Sequence, residues 1–479
     1  MKNSKFKRLL CLFIVTVMLM SGMSWIVSAN EDMYSSWAEW DILMAWDVYK
    51  LGNEGTYSNF RGGFTWMKFT PVLGSLSAKF GIEVEWTEKD EYSYTRGETV
   101  EDLYIIISEA LEIEEPGEAL DYFIENDLIK GRAKGDYQLD KTCTTEEMII
   151  FSVRVYEHII RQLGEDSKGF FWKVTGENNT VYLLGSIHIS DGSLYPLNKA
   201  IEDAFAGSGN FVVEVHDDQS DEDWEYYFSK GLISDGTTIA DYLDPVVYEL
   251  YVFTCEYLGI KKEAYDYLQP WLAEFELGYL LYAMTSEDDN IDDLYDNLDA
   301  LIALGIESHF MPRAISGGKN ILQLESIRHQ ADFLSSFSPE LQEVLLFWTL
   351  VDFYELITGE PFFDDNYIDE DAEEIEGEDE KIEEETDIDR LLYNVWKTGD
   401  EKAMIELNGI DEETDDEILN EYNYIMLTKR NIAMVEKIIE YLTGGEGDYF
   451  VVVGAAHMVG RSGIVQLLID AGYTVERVK

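Results

Sequence analysis

Two stretches, Val181-Tyr-Leu-Leu-Gly-Ser-Ile-His188 and Val451-Val-Val-Gly-Ala-Ala-His457, share one pattern: an apolar run, a glycine, two small or apolar residues and a histidine. Short apolar runs rich in β-branched residues are typical of buried strands. The glycine lets the chain leave the strand without Cβ strain and lets another backbone approach closely. Each histidine is therefore predicted just past the carboxyl end of a strand, where α/β layers place ligand sites. One such histidine is more often structural, but the repeated unit predicts a shared site.

A third predicted strand, Phe211-Val-Val-Glu-Val, places Glu214 among apolar neighbours, where a charged side chain is costly unless it is paired or bound to metal. With His188 and His457 it would supply three protein ligands and leave coordination positions open for water, which is typical of a catalytic metal site. Such a metal lowers the pKa of its bound water to about 7 and polarises a substrate carbonyl. Two alternatives stay open: Glu214 is a buried carboxylate paired with an arginine, or Glu214 or a histidine is a metal-free general base.

These residues belong to a longer pattern that begins at about Phe170 and continues to the carboxyl terminus. Besides the two histidine motifs, it comprises Val212-Val-Glu-Val, Thr238-Ile-Ala-Asp-Tyr-Leu, Gln269-Pro-Trp, Gly305-Ile-Glu-Ser-His-Phe-Met-Pro-Arg-Ala, Gly318-Lys-Asn-Ile-Leu-Gln-Leu-Glu-Ser-Ile, Lys429-Arg-Asn and the tail from Val451 to Val478. The pattern resembles the TraB/GumN family, which includes the Tiki metalloproteases. Each short motif is weakly diagnostic alone, and their order makes the resemblance specific.

The resemblance implies an α+β domain, here residues 169–479, with a mixed sheet and long helical insertions. It also implies that the two histidine motifs, a glutamate and an arginine line one cleft; the matching residues are His188, Glu214, Arg430 and His457. The Arg430 guanidinium would bind an oxyanion, and the alternative is an ordinary surface or capping charge on a helix. For the Tiki branch the resemblance implies Mn²⁺- or Co²⁺-dependent peptide cleavage, whereas other branches are linked to pheromone shutdown or have no settled activity.

The other histidines are assigned mainly structural roles. His309 and Glu325 lie on stretches that match the family; a structural role is favoured for both, and Glu325 is the better candidate for the cleft. His216 lies two residues beyond the candidate glutamate on the same strand face, so it would be a substitute ligand if the strand extends that far. His158 and His329 have no supporting context.

The preceding part of the chain, residues 30–165, is predicted to be a mostly helical module with a weak internal repeat. Each repeat has a helix, a glycine-containing turn, a short extended stretch and a threonine-capped helix. The second cap is Thr144 or Thr145, with Glu146 and Glu147 in the first turn. The module resembles the S-layer homology repeats that attach exported bacterial proteins to cell-wall polymers. The arginine of that family's Thr-Arg-Ala-Glu signature is missing from both repeats, so the alternative is a degenerate module that no longer binds the wall.

The amino terminus and the net charge indicate an exported protein. Residues 1–29 combine a basic start, an uncharged apolar run and small residues before the cleavage point, which is the pattern of a signal peptide. No later segment reaches the ~18 uncharged apolar residues that span a bilayer. The 479 residues include 35 basic and 96 acidic side chains, and the net charge of −61 argues against nucleic acid and anionic lipid as partners. We expect a soluble protein that is secreted or associated with the cell wall.

Cys143 and Cys255 are the two cysteines left after signal cleavage, and because they fall in different predicted domains we expect free buried thiols. Residues 364–387 are rich in Glu and Asp and are predicted to be a disordered insertion. The sequence lacks Gly-x-Ser-x-Gly, His-Glu-x-x-His and Walker motifs, which argues against serine hydrolases, zincins and P-loop NTPases.

The sequence therefore predicts an exported metal-dependent hydrolase, a peptidase that uses the two motif histidines and Glu214, with Mn²⁺ or Co²⁺ as the cofactor. Two other functions stay open. One is a non-enzymatic protein that binds a peptide or another small ligand in the same cleft, and the other is an esterase-like hydrolase that needs no metal. The expected partners are a peptide or small-molecule substrate and, through the amino-terminal module, a cell-wall polymer.

Overall fold

The computed structural model describes residues 34–478, except 53–58, 87–92, 132–134, 178, 217–218, 286–300, 364–387, 412–414 and 445. The predicted signal peptide (1–29) and the predicted acidic insertion (364–387) lie outside the described residues. The described chain separates into two units, one comprising 34–167 with 191–199 and the other 168–190 with 200–478. Among the helices of the described ranges, none is both long and apolar enough to cross a bilayer.

The amino-terminal unit is built from helices. They are α1 (Glu39–Leu43), which continues as a π-helical turn over Met44–Val48, α2 (Trp66–Lys79), α3 (Arg96–Ala110), α4 (Ala119–Glu125) and α5 (Thr145–Leu163). Aromatic rings fill the core between them: Phe64, Phe69 and Tyr94 lie with their ring centroids 5.2, 5.3 and 5.6 Å apart. The predicted helical character of this module is confirmed, and its attachment to a wall polymer stays a prediction.

Threonine residues precede three of these helices. The Thr144 hydroxyl accepts a hydrogen bond from the Glu147 backbone N–H, and the Glu147 carboxylate accepts one from the Thr144 N–H at 3.0 Å, so the predicted cap of α5 is Thr144. Thr95 and Glu98 form the same reciprocal pair at the start of α3, a cap that the repeat pattern did not predict. Thr65 precedes α2 in an extended conformation.

Six described strands form one mixed sheet in the carboxyl-terminal unit. They are β1 (Phe170–Thr175), β2 (Thr180–Ser186), β3 (Asn210–Val213), β4 (Asn320–Gln323), β5 (Tyr449–Gly454) and β6 (Val475–Arg477), in the order β4-β3-β5-β2-β1-β6. Strands β4, β3, β5 and β2 run parallel, whereas β1 is antiparallel to both β2 and β6. The predicted α+β class with a mixed sheet is confirmed.

Helices make up most of the rest of this unit. They are α6 (Lys199–Gly207), α7 (Asp221–Gly231), α8 (Pro245–Tyr257), α9 (Lys262–Tyr265), α10 (Pro270–Thr285), α11 (Ile306–Ser316), α12 (Ile327–Leu334), α13 (Pro339–Thr358), α14 (Ile388–Thr398), α15 (Glu401–Leu407), α16 (Glu417–Asn423), α17 (Lys429–Gly444), α18 (Ala455–Met458) and α19 (Ile464–Asp470). A π-helical turn, Tyr424–Thr428, joins α16 to α17. Pro270 begins α10, a position that suits proline because its fixed φ is helical and its missing N–H is not needed there.

Strand β4 lies between the helices α11 and α12 in the chain and pairs with β3 at the edge of the sheet. Its four residues are exposed or only partly buried, so the sequence there lacks the long apolar run that identified the other strands.

The parallel strands bring the candidate residues to one edge of the sheet. Strand β5 lies between β2 and β3, and in the β2–β5 pair Ser186 stands opposite Gly454. Because parallel strands end at the same edge, the residues that follow them meet there. His188 follows β2, Glu214 follows β3, and His457 lies on α18 directly after β5.

The motif glycine Gly185 allows a close approach of backbones beneath this edge. A Cβ at Gly185 would lie 2.9 Å from both the Ala455 Cα and the Phe170 Cβ. The Gly185 carbonyl also accepts a 2.7 Å hydrogen bond from the indole N–H of Trp396, a fully buried side chain on α14. The glycine therefore serves packing between β1, β2 and α18 rather than a special backbone angle.

Cys143 in the amino-terminal unit and Cys255 in the carboxyl-terminal unit are buried free thiols, as predicted. Burial raises the pKa of each to about 12. Both thiols are therefore protonated and poorly nucleophilic at neutral pH.

We expect Gly185→Ala to destabilise the protein by about 1–3 kcal/mol, because the added methyl group meets backbone on one side and a packed strand on the other. Chemical denaturation followed by fluorescence measures this loss. Gly207→Ala is the matched control, since a Cβ there meets no heavy atom within 4 Å. Equal stability of the two variants would contradict the packing role of Gly185.

Candidate functional site

His457 is fixed in one orientation by a buried amide. Its Nδ1 lies 2.6 Å from Oδ1 of Asn431 on α17, and the Asn431 Nδ2 donates to the Ser462 carbonyl at 2.8 Å. An amide oxygen only accepts hydrogen bonds, so Nδ1 carries the proton and Nε2 keeps its lone pair. Nε2 is buried and has no hydrogen-bond partner among the described residues. Burial and the Arg430 charge lower the pKa of His457 well below its ordinary value, so the ring is neutral at pH 7.

His188 has a carboxylate as its partner instead. Its Nδ1 lies 2.9 Å from Oε1 of Glu307 on α11; the distance suits an ion pair, but the atoms are not aligned as in a hydrogen bond. Burial alone lowers the pKa of His188, but the Glu307 carboxylate outweighs it and leaves the pKa above its ordinary value. Gly305 caps α11, and a Cβ there would lie 2.0 Å from the His188 carbonyl oxygen. The start of α11 therefore rests directly on the histidine turn.

Glu214 belongs to a buried ion cluster with Arg430 and Glu325. The Arg430 Nη2 donates to Glu214 Oε1 and, at 2.8 Å, to Glu325 Oε2, while its Nε lies 3.0 Å from Glu325 Oε1. The three side chains are 1–6% exposed. Burial lowers the pKa of Arg430, but the Glu325 and Glu214 charges raise it more, so the guanidinium is permanently charged. The interpretation of Glu214 as a carboxylate paired with an arginine thus describes one of its two oxygens.

The second oxygen of Glu214 faces the two histidines. Oε2 accepts a 3.4 Å hydrogen bond from the Gly454 N–H and lies 4.0 Å from Nε2 of His457. A Cβ at Gly454 would lie 3.9 Å from this oxygen, 3.7 Å from Nε2 of His188 and 3.4 Å from Cδ2 of His457. The three predicted ligands therefore lie close to one another on the Cβ side of Gly454. In the described ranges, however, no three or more His, Cys, Asp or Glu side chains are positioned to hold a metal ion.

The remaining candidates lie elsewhere or have other partners. The Nε2 of His309 is 2.6 Å from Glu202 Oε1, so His309 is tied to a second ion pair rather than to the cluster. Strand β3 ends at Val213, so the extension needed to present His216 as a ligand is absent. His158 accepts or donates a 2.8 Å hydrogen bond with the Tyr122 hydroxyl in the other unit.

Sequence reasoning missed the two residues that orient the histidines. Glu307 and Asn431 both lie on stretches that match the family, inside Gly305-Ile-Glu-Ser-His and Lys429-Arg-Asn. In the first stretch His309 was considered as a candidate and Glu307 was not. In the second stretch Arg430 was considered and Asn431 was not. The available signal was their place in these two family-matching stretches, and their burial, at 6% exposure for Glu307 and 1% for Asn431, becomes visible only in the fold.

The carboxyl-terminal unit also matches a known family model, that of the TraB/PrgY/gumN family, over residues 170–477. The chain belongs to this family. The match covers more than half of the chain and includes every residue of the cluster described above, which confirms the predicted TraB/GumN domain. No curated protein and no solved structure is significantly similar to the chain, and the resemblance of the amino-terminal unit to S-layer homology repeats stays a prediction.

A further buried carboxyl group lies in the helical core of this TraB/PrgY/gumN domain. Glu274 on α10 is 1% exposed; its Oε1 accepts a 3.3 Å hydrogen bond from the Thr349 hydroxyl, and its Oε2 has no partner among the described residues. Burial raises the pKa of Glu274 to about 8. At neutral pH the folded protein therefore holds a proton on this group that the unfolded chain releases.

From this we expect Glu274 to make stability fall as the pH rises. The folded state retains the proton up to about pH 8, whereas the unfolded state loses it near 4.5, so the stabilisation present below pH 4.5 is lost between these values. Glu274→Gln removes the titration and keeps an acceptor for Thr349. Between pH 4.5 and pH 8, the free energy of unfolding of the variant should rise by roughly 3–5 kcal/mol relative to that of wild type. Urea denaturation across this pH range measures the difference. An identical pH dependence of the two proteins would show that Glu274 ionises normally.

Removing the Arg430 guanidinium from the ion cluster should lower the free energy of unfolding much more than removing an arginine elsewhere. We expect Arg430→Met to destabilise the fold by ~3–5 kcal/mol, because Glu214 and Glu325 are left as buried, uncompensated carboxylates. The control is Arg313→Met, since Arg313 is 34% exposed and its partner Glu202 keeps His309 as a second partner; its cost should be about 1 kcal/mol or less. Thermal and denaturant unfolding measure both, and similar losses would contradict the buried-charge argument.

Proposed function

We propose that this TraB/PrgY/gumN protein is an exported metal-dependent hydrolase that cleaves peptide bonds at the edge of the sheet where His188, Glu214 and His457 meet. The observation that carries the proposal is the buried Nε2 of His457, which keeps a free lone pair 4.0 Å from a Glu214 oxygen. Such an orphaned buried atom is costly unless it binds something. Export is proposed from the signal-like residues 1–29.

The side chains suit a divalent metal in their chemistry. Both histidines are held at Nδ1 by an outer partner, Glu307 for His188 and Asn431 for His457. Metal-binding histidines are commonly oriented this way, with the other nitrogen turned to the ion. Mn²⁺ or Co²⁺ held by these two nitrogens and Glu214 Oε2 would polarise a substrate carbonyl and acidify water. The proposal requires the three ligands to draw closer together around the ion than they stand in the described site.

The chain itself supplies the other parts of the reaction. Arg430 holds one oxygen of Glu214, so the second oxygen is presented toward the histidines rather than toward the core. When no metal is bound at Nε2 of the neutral His457 ring, this nitrogen can instead accept a proton from an attacking water. In the same metal-free form, His188, whose pKa is raised by Glu307, is the histidine better suited to carry positive charge beside a developing oxyanion.

A metal-independent hydrolase is the second candidate, and the spacing of the site favours it. Across the described residues, no group of three potential ligands is close enough to hold an ion. In this version His457 acts as a general base on water, and the positive charge of His188 replaces the metal in stabilising the oxyanion.

The proposal is tested with the mature chain, residues 30–479. We expect cleavage of a mixed peptide library that is lost with chelator and restored by Mn²⁺ or Co²⁺, together with bound metal in elemental analysis. His188→Ala and His457→Ala should each lower kcat/KM at least ~100-fold, and Asn431→Ala should lower it by about 10–100-fold through the misoriented histidine. The matched control is His329→Ala, because His329 is exposed and lies on α12.

The outcomes separate the candidates. Cleavage that survives chelator but fails in His457→Ala supports the metal-independent hydrolase. Cleavage that is unchanged in both histidine variants would falsify the site. Absence of cleavage under all metal conditions, with peptide binding retained, leaves a binding protein.

A further inference from the structure

Three large hydrophobic side chains are exposed along one side of α8. Val246, Phe253 and Tyr257 are 55%, 38% and 51% exposed, respectively. At about 3.6 residues per turn, these positions fall within an arc of about 40° and span about 16 Å along the helix. Single exposed hydrophobic residues are ordinary on a soluble protein, whereas a stripe of them over three turns of one helix points to a surface that binds another molecule.

The stripe borders the side of α8 that packs into the protein. Leu250 and Thr254, on that side, are 8% and 0% exposed. The ring of Phe253 also lies 6.0 Å, centroid to centroid, from the ring of Tyr354, a partly buried residue of α13. The apolar side of α8 is therefore wider than the part that its neighbours in the described chain cover.

Acidic side chains lie along the outer flank of the stripe. Glu249 and Glu256 are both exposed, and their positions place them on the same flank, about 60–80° around the helix from Val246. Helix α8 contains no lysine or arginine, and its carbonyl end, which carries partial negative charge, lies next to Glu256. The first lysines after the helix are Lys261 and Lys262, and the second of these is paired with Asp266 at 3.0 Å. The surface formed by the three hydrophobic residues and the two glutamates is called the α8 face below.

The charge of the α8 face decides among possible occupants. Two copies of the chain that met through this face would bring its glutamates against each other, and the net charge of −61 adds to the repulsion. An anionic lipid surface is repelled for the same reason. A cationic partner is attracted, and a helix can present cations at the required spacing. Glu249 and Glu256 are one heptad apart, which is the spacing at which paired helices place charges beside an apolar seam.

We propose that the α8 face binds an amphipathic helix of a partner protein that carries lysine or arginine beside an apolar stripe. The apolar residues of the partner pack on Val246, Phe253 and Tyr257, and two of its cations, one heptad apart, pair with Glu249 and Glu256. The length of the stripe calls for a partner helix of at least about three turns. This inference does not rest on the proposed hydrolase function.

The first test measures binding of two synthetic peptides to the full chain by titration calorimetry. Both are helical, about 18 residues long, with a leucine stripe, and they differ only in carrying lysine or glutamate on its flank. The lysine peptide should bind and the glutamate peptide should not. Phe253→Ser combined with Tyr257→Ser should weaken binding of the lysine peptide at least ~10-fold. Because Phe253 also contacts Tyr354, Val246→Ser serves as a second variant, and thermal unfolding checks that both variants fold.

The second test exchanges the charges. Glu249→Lys with Glu256→Lys should weaken binding of the lysine peptide at least ~10-fold and create binding of the glutamate peptide, although the chain as a whole stays strongly acidic. The matched control is Glu101→Lys with Glu109→Lys on α3, where both glutamates are exposed. The control changes the net charge equally and should leave the affinity for the lysine peptide within about twofold of wild type.

The outcomes decide the proposal as follows. A preference that switches from the lysine to the glutamate peptide in the α8 charge variant, but not in the α3 control, supports the α8 face. Equal weakening in the two charge variants would show a response to overall charge and overturn it. Binding to vesicles of zwitterionic lipid that Phe253→Ser with Tyr257→Ser abolishes, or a dimer in sedimentation that these substitutions dissociate, would assign the face to a membrane or to a second copy instead.

Discussion

The buried contact of one arginine with two carboxylates is the constraint on which the site depends. Arg430 joins the end of β3, through Glu214, to the segment after β4, through Glu325, and it does so from α17. Burying three charges costs several kcal/mol per ion, so a cluster of this kind is weak evidence for stability. Its effect is geometric: with Oε1 of Glu214 held by the guanidinium, Oε2 must face Gly454 and His457. The contact with Arg430, on the side of Glu214 away from the histidines, therefore sets the orientation of the Glu214 carboxylate.

The two motif histidines look equivalent in sequence but differ chemically in the fold. His457 faces an amide at Nδ1 and lies near the Arg430 charge, which favours the neutral ring. His188 faces the Glu307 carboxylate, which favours the charged ring. Pairs of groups whose surroundings push their pKa values apart are typical of acid–base sites, because each can then take a different role at one pH. The repeated motif therefore supplies two histidines, and the helical residues Glu307 and Asn431 shift their pKa values in opposite directions or allow burial to do so.

The parts that could be predicted from the sequence are those with a local signal. The apolar runs of β2, β3 and β5, each ending in a glycine or a glutamate, predicted both the strands and the residues after them. Their neighbouring order in the sheet is a matter of long-range pairing, which no local pattern encodes. Strand β4 was missed because it is a half-buried edge strand, and the Thr95 cap because it lies outside the repeat. Asn431 was missed because its only mark is burial on an amphipathic helix.

A single helical segment contacts the ion cluster, His457 and a surface cavity of about 170 Å³. Tyr424, Thr428 and Asn431 recur at intervals of four and three residues, so they form one stripe along the segment, which lines the cavity. Arg430 is one residue before Asn431, about a quarter of a turn away, and faces the carboxylates instead. The adjacent residues Arg430 and Asn431 of α17 therefore face the ion cluster and the cavity, respectively.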